Sequence, residues 1–172
     1  MKLSCPSNKF KSHLDFLHSK ALSSSSKTSK HGCGILSGGR ITSFAVNQPM
    51  RNMVDGHVTN CLHSEVAAIR KVIGNIKKGK TASTVRRKMK RKTIVIVRAN
   101  LNAKSNRDFS MSAPCKSCMK YIRQAGLKKI VFSTNDEECK IARVKSSYNA
   151  THVTWGRWPG GVRPTVALLQ KV

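Results

Sequence analysis

The sequence is short of acidic residues. Asp and Glu together number 7 against 33 Lys and Arg, for a formal net charge of +26 and an isoelectric point of about 10.6. Such an imbalance excludes a surface neutralised by its own carboxylates and predicts attraction to polyanions, nucleic acid above all. Long apolar runs are also missing. No segment approaches the roughly 18–20 apolar residues of a membrane-spanning helix. The opening stretch MKLSCPSNKFKSHLDFLHSK has no continuous apolar core, so no secretory signal is expected and the compartment is expected to be intracellular, cytoplasmic or nuclear. Without secretion, the 6 cysteines are not read as three disulfides. One Cys-x-x-Cys pair among them points instead to metal binding by reduced thiols. There is no internal repeat, and 172 residues favour one domain over the whole chain, long enough to bury a real core.

Periodicity places the elements. Phe10, Leu14, Leu17 and Ala21 lie on one stripe of an amphipathic helix over residues 8–22, followed by the polar loop SSSSKTSK. Two short strands, Cys33 to Ser37 and Arg40 to Val46, flank Gly38-Gly39, a pair that permits the positive φ angles of a tight hairpin. Pro49 ends this region, and MRNMVDGHVTN reads as a loop. A second helix is expected from His63 to Lys77, with Val66, Ile69, Val72, Ile73 and Ile76 on its apolar stripe. Residues 77–92, KKGKTASTVRRKMKRK, hold nine basic residues and no acidic one. They read as a basic insertion, a surface loop with little core in it. TIVIVRA (93–99) is a buried central strand by its β-branched run, and 100–112 is loop. APCKSCMKYIRQAGLKK opens a helix near Pro114 and closes it at Gly126. IVFST (130–134) is a further buried strand. NDEECKIARV reads as a turn and a returning strand or as a short helix, HVTW (152–155) as an edge strand, and residues 156–172 as an irregular C-terminal segment. The order α-β-β-α-β-α-β predicts an α/β fold, an α-β-α sandwich of three layers around a mixed sheet of about five strands.

Two patterns carry chemistry. Cys115 and Cys118 sit at i and i+3 at a helix start, so both sulfurs reach one side and one ion. The helix N-terminus favours the thiolates that zinc needs. A catalytic zinc site commonly has three protein ligands and an open position, and His63 would be the third. His63 and Glu65, two apart, point roughly 200° apart on a helix and cannot share its flank. They can share a site just off its N-terminal end. There His63 would bind the metal and Glu65 would meet a water whose pKa zinc lowers to about 7.

The combination H-x-E with P-C-x-x-C resembles the cytidine/deoxycytidylate deaminase superfamily, which includes tRNA adenosine deaminases. The resemblance runs over roughly residues 8–134 and includes the order of elements and the G-L-K-K-I-V-F-S stretch after Cys118. It implies zinc as cofactor, His63, Cys115 and Cys118 as its ligands, and Glu65 as the catalytic proton shuttle. It also implies that Asn47, in VNQP, binds the substrate sugar. The long interval from His63 to Pro114 and the region after Thr134 depart from the family pattern and leave the substrate open.

The expected function is therefore zinc-dependent hydrolytic deamination of a cytosine base, with adenine second, in a nucleotide or nucleic acid. Cytosine is preferred on the S-x-P-C context and the short hairpin. The alternative is a deaminase-fold protein that binds or packages nucleic acid with a structural zinc and no catalysis. The expected partners are a nucleotide or nucleic acid substrate, polyanions held by the basic surface and, by family likeness, a second copy of the chain; no membrane is expected. The run RRKMKRK resembles a phosphate-binding patch or a nuclear targeting signal, against a solvated loop. Cys61 reads as a buried small side chain at the helix entry. Cys5, Cys33 and Cys139 read as ordinary thiols, and His31, His57 and His152 as loop or surface residues. Arg51 is a weak candidate for a substrate phosphate, and Trp155 and Trp158 either stack on bases or pack on the core.

Overall fold

A computed structural model describes residues 8–50, 52–54, 57–77, 81–102, 108–135 and 139–143. The elements in chain order are α1 (Asn8–Leu22), β1 (His31–Ser37), β2 (Arg40–Val46), β3 (Asn52–Val54), β4 (His57–Thr59), α2 (Ser64–Lys77), α3 (Ala82–Met89), β5 (Thr93–Ala99), β6 (Phe109–Ser110), α4 (Lys116–Ala125), β7 (Lys129–Ser133) and β8 (Cys139–Arg143). The main sheet runs β2-β1-β5-β7-β8, with short β6 paired to β5. Only β5 and β7 are parallel; the other pairs are antiparallel, so the sheet is mixed as expected.

The period-2 alternation of the central strands builds the three layers. Ile94 and Ile96 of β5, Cys33 and Ile35 of β1, and Ile130 and Phe132 of β7 face the side covered by α2, α3 and α4. Val95, Val97 and Ala99, with Leu36 and Val131, face the other side, where Leu14, Leu17 and Ala21 of α1 cover them. Both faces of β5 are buried, which is why its sequence is almost continuously apolar. Gly38 and Gly39 close the β1–β2 hairpin with φ of 57° and 71°, the conformation a two-residue turn of this hand requires. Gly32 has a different task. A Cβ there would lie 2.5 Å from the carbonyl oxygen of Leu17, so the bare backbone lets α1 settle directly on β1.

Several elements differ from the sequence-based expectation. Within the expected loop, β3 and β4 pair antiparallel as a small sheet apart from the main one. The end of the expected loop 100–112 adds β6 to β5. NDEECKIARV supplies a strand and not a helix, since β8 returns antiparallel along β7. The segments 152–155 and 156–172 lie outside the described residues.

The largest correction concerns the basic stretch, which is not a loop. Thr81 caps α3, its side chain accepting from the N–H of Thr84, and Val85 and Met89 are buried in the core shared by α2 and α4. Charge hid this helix: two apolar residues at i and i+4 among cations are enough to bury one face. No helix among the described residues is long and apolar enough to cross a membrane.

Two stability outcomes follow from these contacts. Met89→Ala should cost about 2–5 kcal/mol in urea unfolding, the range for emptying a core site, whereas neighbouring exposed Lys88→Ala should stay within about 0.5 kcal/mol. Gly32→Ala should destabilise by about 1–3 kcal/mol through overpacking. Gly74→Ala, in α2 with nothing within 4 Å of its added Cβ, should stabilise by about 0.5–1 kcal/mol in the same measurement.

Candidate metal centre

Two helices begin at one point. The backbone enters α2 through a clamp in which Gln48 and Leu62 exchange N–H···O bonds of 2.9 Å each way, tying the approach to His63 to the end of β2. His63 accepts from the N–H of Ala67 at 3.0 Å, so it stands just ahead of the first turn. The approach to α4 is held by serines. Ser112 Oγ donates to the carbonyl of Ile96 at 2.8 Å, its N–H donates to the carbonyl of Ser133 at 3.0 Å, and Ser133 N–H donates to Ser112 Oγ at 2.9 Å. Ser133 Oγ in turn donates to the carbonyl of Ser110 at 2.8 Å. This network pins the chain before Pro114 across the parallel pair β5–β7. Cys115 is then the N-cap of α4, its sulfur accepting from the N–H of Cys118 at 3.5 Å.

The result is a compact donor set. The ligand atoms of His63, Cys115 and Cys118 all lie within 4.8 Å of one another. His63 Nδ1 is 3.2 Å from Cys118 Sγ and 3.7 Å from Cys115 Sγ. A tetrahedral zinc with Zn–N of about 2.05 Å and Zn–S of about 2.3 Å requires N···S edges of about 3.6 Å. The two observed separations bracket that value, and two thiols with an imidazole are donors zinc accepts. These residues fit the ion.

The electrostatics agree. Cys115 is pushed down to about 3, first by the hydrogen bond from Cys118, then, against burial, by the hydrogen bond with His63, the Cys118 N–H and the charge of His63. Cys118 moves the opposite way, raised by its hydrogen bond to Cys115, by burial and by Glu65. His63 is raised, chiefly by its hydrogen bond with Cys115 and against the effect of burial. Of the two sulfurs, Cys115 is the one whose surroundings favour the thiolate. The positive ends of two helix dipoles favour that negative charge.

Glu65, in the first turn of α2, is buried and accepts from Ser64 Oγ at 3.2 Å. Its carboxylate reaches the Cys118 thiol by hydrogen bond and raises both Cys33 and Cys61, whose main cause of elevation is burial. His63 and Glu65 thus meet beside the same end of α2. Asn47 is buried too, and its amide is engaged with protein. Its Oδ1 accepts from His31 N–H at 2.8 Å and Ser24 Oγ at 2.9 Å, and its Nδ2 donates to the carbonyl of Ser29 at 2.7 Å. It therefore holds the polar loop after α1 against the start of β1.

Cys61 is half-buried and is not part of the donor set. Cys33 lies in the core. Both are free thiols, as are Cys115 and Cys118. His31 opens β1 and bonds Ser29 Oγ at 2.7 Å. Arg51, Cys5, His152, Trp155 and Trp158 lie outside the described residues. Ser112 and Ser133 were not legible as site residues, because only the pairing of β5 with β7 brings them together.

A mixed sheet between helices, with a His-Cys-Cys centre beside a buried carboxylate where two helices start, defines a zinc-centred α/β protein of the deaminase kind. The family described as the cytidine and deoxycytidylate deaminase zinc-binding region matches residues 9–134, and the chain belongs to it. No curated protein matches it in sequence. Among solved structures it is similar to the cytidine deaminase from Burkholderia pseudomallei, with a TM-score of 0.51 and 13% identity over 78% of this chain and 91% of that one. It is also similar to the dCMP deaminase from the cyanophage S-TIM5 in complex with dCMP and dUMP, with a TM-score of 0.50 and 18% identity over 75% of this chain and 83% of that one. At these identities the likeness to the two structures establishes the fold.

Purified protein should carry about one zinc per chain by elemental analysis, given three protein donors and one site. His63→Ala and Cys115→Ser should each lose the metal and lower the melting temperature. Wild-type protein free of metal after preparation without chelators would refute the assignment.

Proposed function

We propose that the protein is a zinc-dependent hydrolytic deaminase that acts on a cytosine base, and less readily on adenine, in a nucleotide or nucleic acid. The observation that carries this reading is the buried Glu65 carboxylate beside the three metal donors. A purely structural centre has no use for an acid/base group there, and burying a carboxylate costs free energy. Zinc held by His63, Cys115 and Cys118 would supply an acidified water as nucleophile and leave the protein to manage protons. Glu65 takes one proton from the water that attacks C4 and passes it to the ring nitrogen, then takes the second from the hydroxyl now on C4 and passes it to the amine, which leaves as ammonia. Cytosine and water give uracil and ammonia. In this reading Asn47, held by Ser24, Ser29 and His31, would offer its second amide hydrogen to the substrate sugar.

Cytosine is favoured over adenine by the S-x-P-C context and by the substrates named for the two similar structures, cytidine and dCMP. A second reading, a nucleic-acid-binding protein with a structural zinc, is favoured by the net charge of +26, more than chemistry on a free nucleotide needs. Ammonia release measured on cytidine, dCMP, single-stranded DNA and RNA separates the two.

Glu65→Gln should keep its zinc and its fold while deamination falls by about 10²–10⁴-fold, the usual share of a general acid/base. Loss of metal in that variant would make Glu65 a ligand instead, and full activity would remove it from the mechanism.

A further inference from the structure

The outward face of α4 carries a row of cations. Lys116, Lys120 and Arg123 are all exposed, and at i, i+4 and i+7 a helix sets them within about 60° of one another. The row begins beside Cys115, at the rim of the metal centre, and runs about 10 Å along the helix at 1.5 Å per residue. At its far end α3 takes over. A Cβ on Gly126, the C-cap of α4, would lie 2.8 Å from Arg86 Cγ, so Arg86 packs directly on the end of α4. Arg86 of α3 and Lys90, the C-cap of that helix, are exposed and one turn apart. Burial of Val85 and Met89 stops α3 from rolling and holds these cations in place. Neither helix contains an acidic residue. A second group of cations stands over aromatic rings beside edge strand β2. Lys20 lies 5.5 Å from the Phe16 ring centre, and Lys71 lies 5.8 Å from that of Phe44.

We propose that Lys116, Lys120 and Arg123, continued by Arg86 and Lys90, form a phosphate track for a single-stranded nucleic acid whose backbone leads into the metal centre. A free nucleotide at the centre could touch only the Lys116 end; a strand can engage the whole row. The grip on phosphates is independent of the deaminase reading, whereas the direction of the track, delivering a base to the centre, rests on it.

The test is fluorescence anisotropy of the full-length zinc-loaded protein with labelled RNA and DNA single strands of one cytosine-containing sequence, across a salt series. Each phosphate contact on a single strand contributes about 0.7 to the log–log salt slope. Lys120→Gln with Arg123→Gln, and separately Arg86→Gln with Lys90→Gln, should each flatten the slope by about 1.4 and weaken binding about tenfold near 0.15 M salt. Lys11→Gln with Arg40→Gln, exposed on α1 and at the β1–β2 turn, removes the same charge and should change the slope by less than a third of that. The charge-keeping pair Lys120→Arg with Arg123→Lys should bind as the wild type does, which separates lost charge from lost fold. Tighter binding of RNA or of DNA identifies the strand the track takes, and either order supports it. Failure of the wild type to bind both strands, unchanged slopes in both track pairs, or an equal loss in the control pair would overturn the track. Ammonia release from free dCMP reads the deaminase proposal separately, so a track without catalysis and catalysis without a track give different results.

Discussion

His63 Nδ1 approaches the sulfurs of Cys115 and Cys118 to 3.2 and 3.7 Å only because α2 and α4 start at the same place. That coincidence is the constraint on which the site depends. Each helix start is anchored from a different part of the sheet, α2 by the Gln48–Leu62 clamp at the end of β2 and α4 by the serines bridging β5 and β7. The centre is therefore a meeting of two independently fixed loops. Metal bound there would tie together segments about fifty residues apart in sequence, so metal affinity and folding free energy are linked.

The same arrangement sets the electrostatics of the cluster. Two helix N-termini supply positive potential, and Cys115, itself an N-cap, also receives a hydrogen bond from Cys118. Glu65 works against further negative charge and adds to the rise of Cys118, after the Cys115 hydrogen bond and burial. A divalent cation eases this conflict, since it can displace a thiol proton and its two charges offset the two thiolates. The buried Glu65 carboxylate has the N-terminal end of α2, in whose first turn it lies, to favour its charge.

Charge and core are interleaved in this chain more closely than composition suggests. The helix α3 is a strip of cations around two buried side chains, Val85 and Met89, and its N-cap Thr81 is the clearest local sign that it starts there. The small side chains at packing points serve a related purpose. Gly126 lets α3 lie on the end of α4, and Gly32 lets α1 lie on β1. On the first of these contacts, a basic surface becomes a rigid one.

The sequence by itself determined the long elements, because hydrophobic period and turn chemistry are local. It specified α1, the β1–β2 hairpin at Gly38-Gly39, the strand 93–99 and the close of α4 at Gly126. It also singled out His63, Cys115 and Cys118, whose donor atoms the structure brings together, and Glu65 in the first turn of the same helix, because residue types at fixed offsets from helix starts are local too. It did not reveal α3, where nine cations in 77–92 outweighed two apolar residues whose burial depends on α2 and α4. Nor did it reveal β8 as an antiparallel partner of β7, or the Ser112–Ser133 bridge, since both are pairings between distant segments. The engagement of Asn47 by Ser24, Ser29 and His31 also belongs to the tertiary structure. A side chain's chemistry can be read from its type, but its partners are decided by which backbones the packed sheet brings side by side.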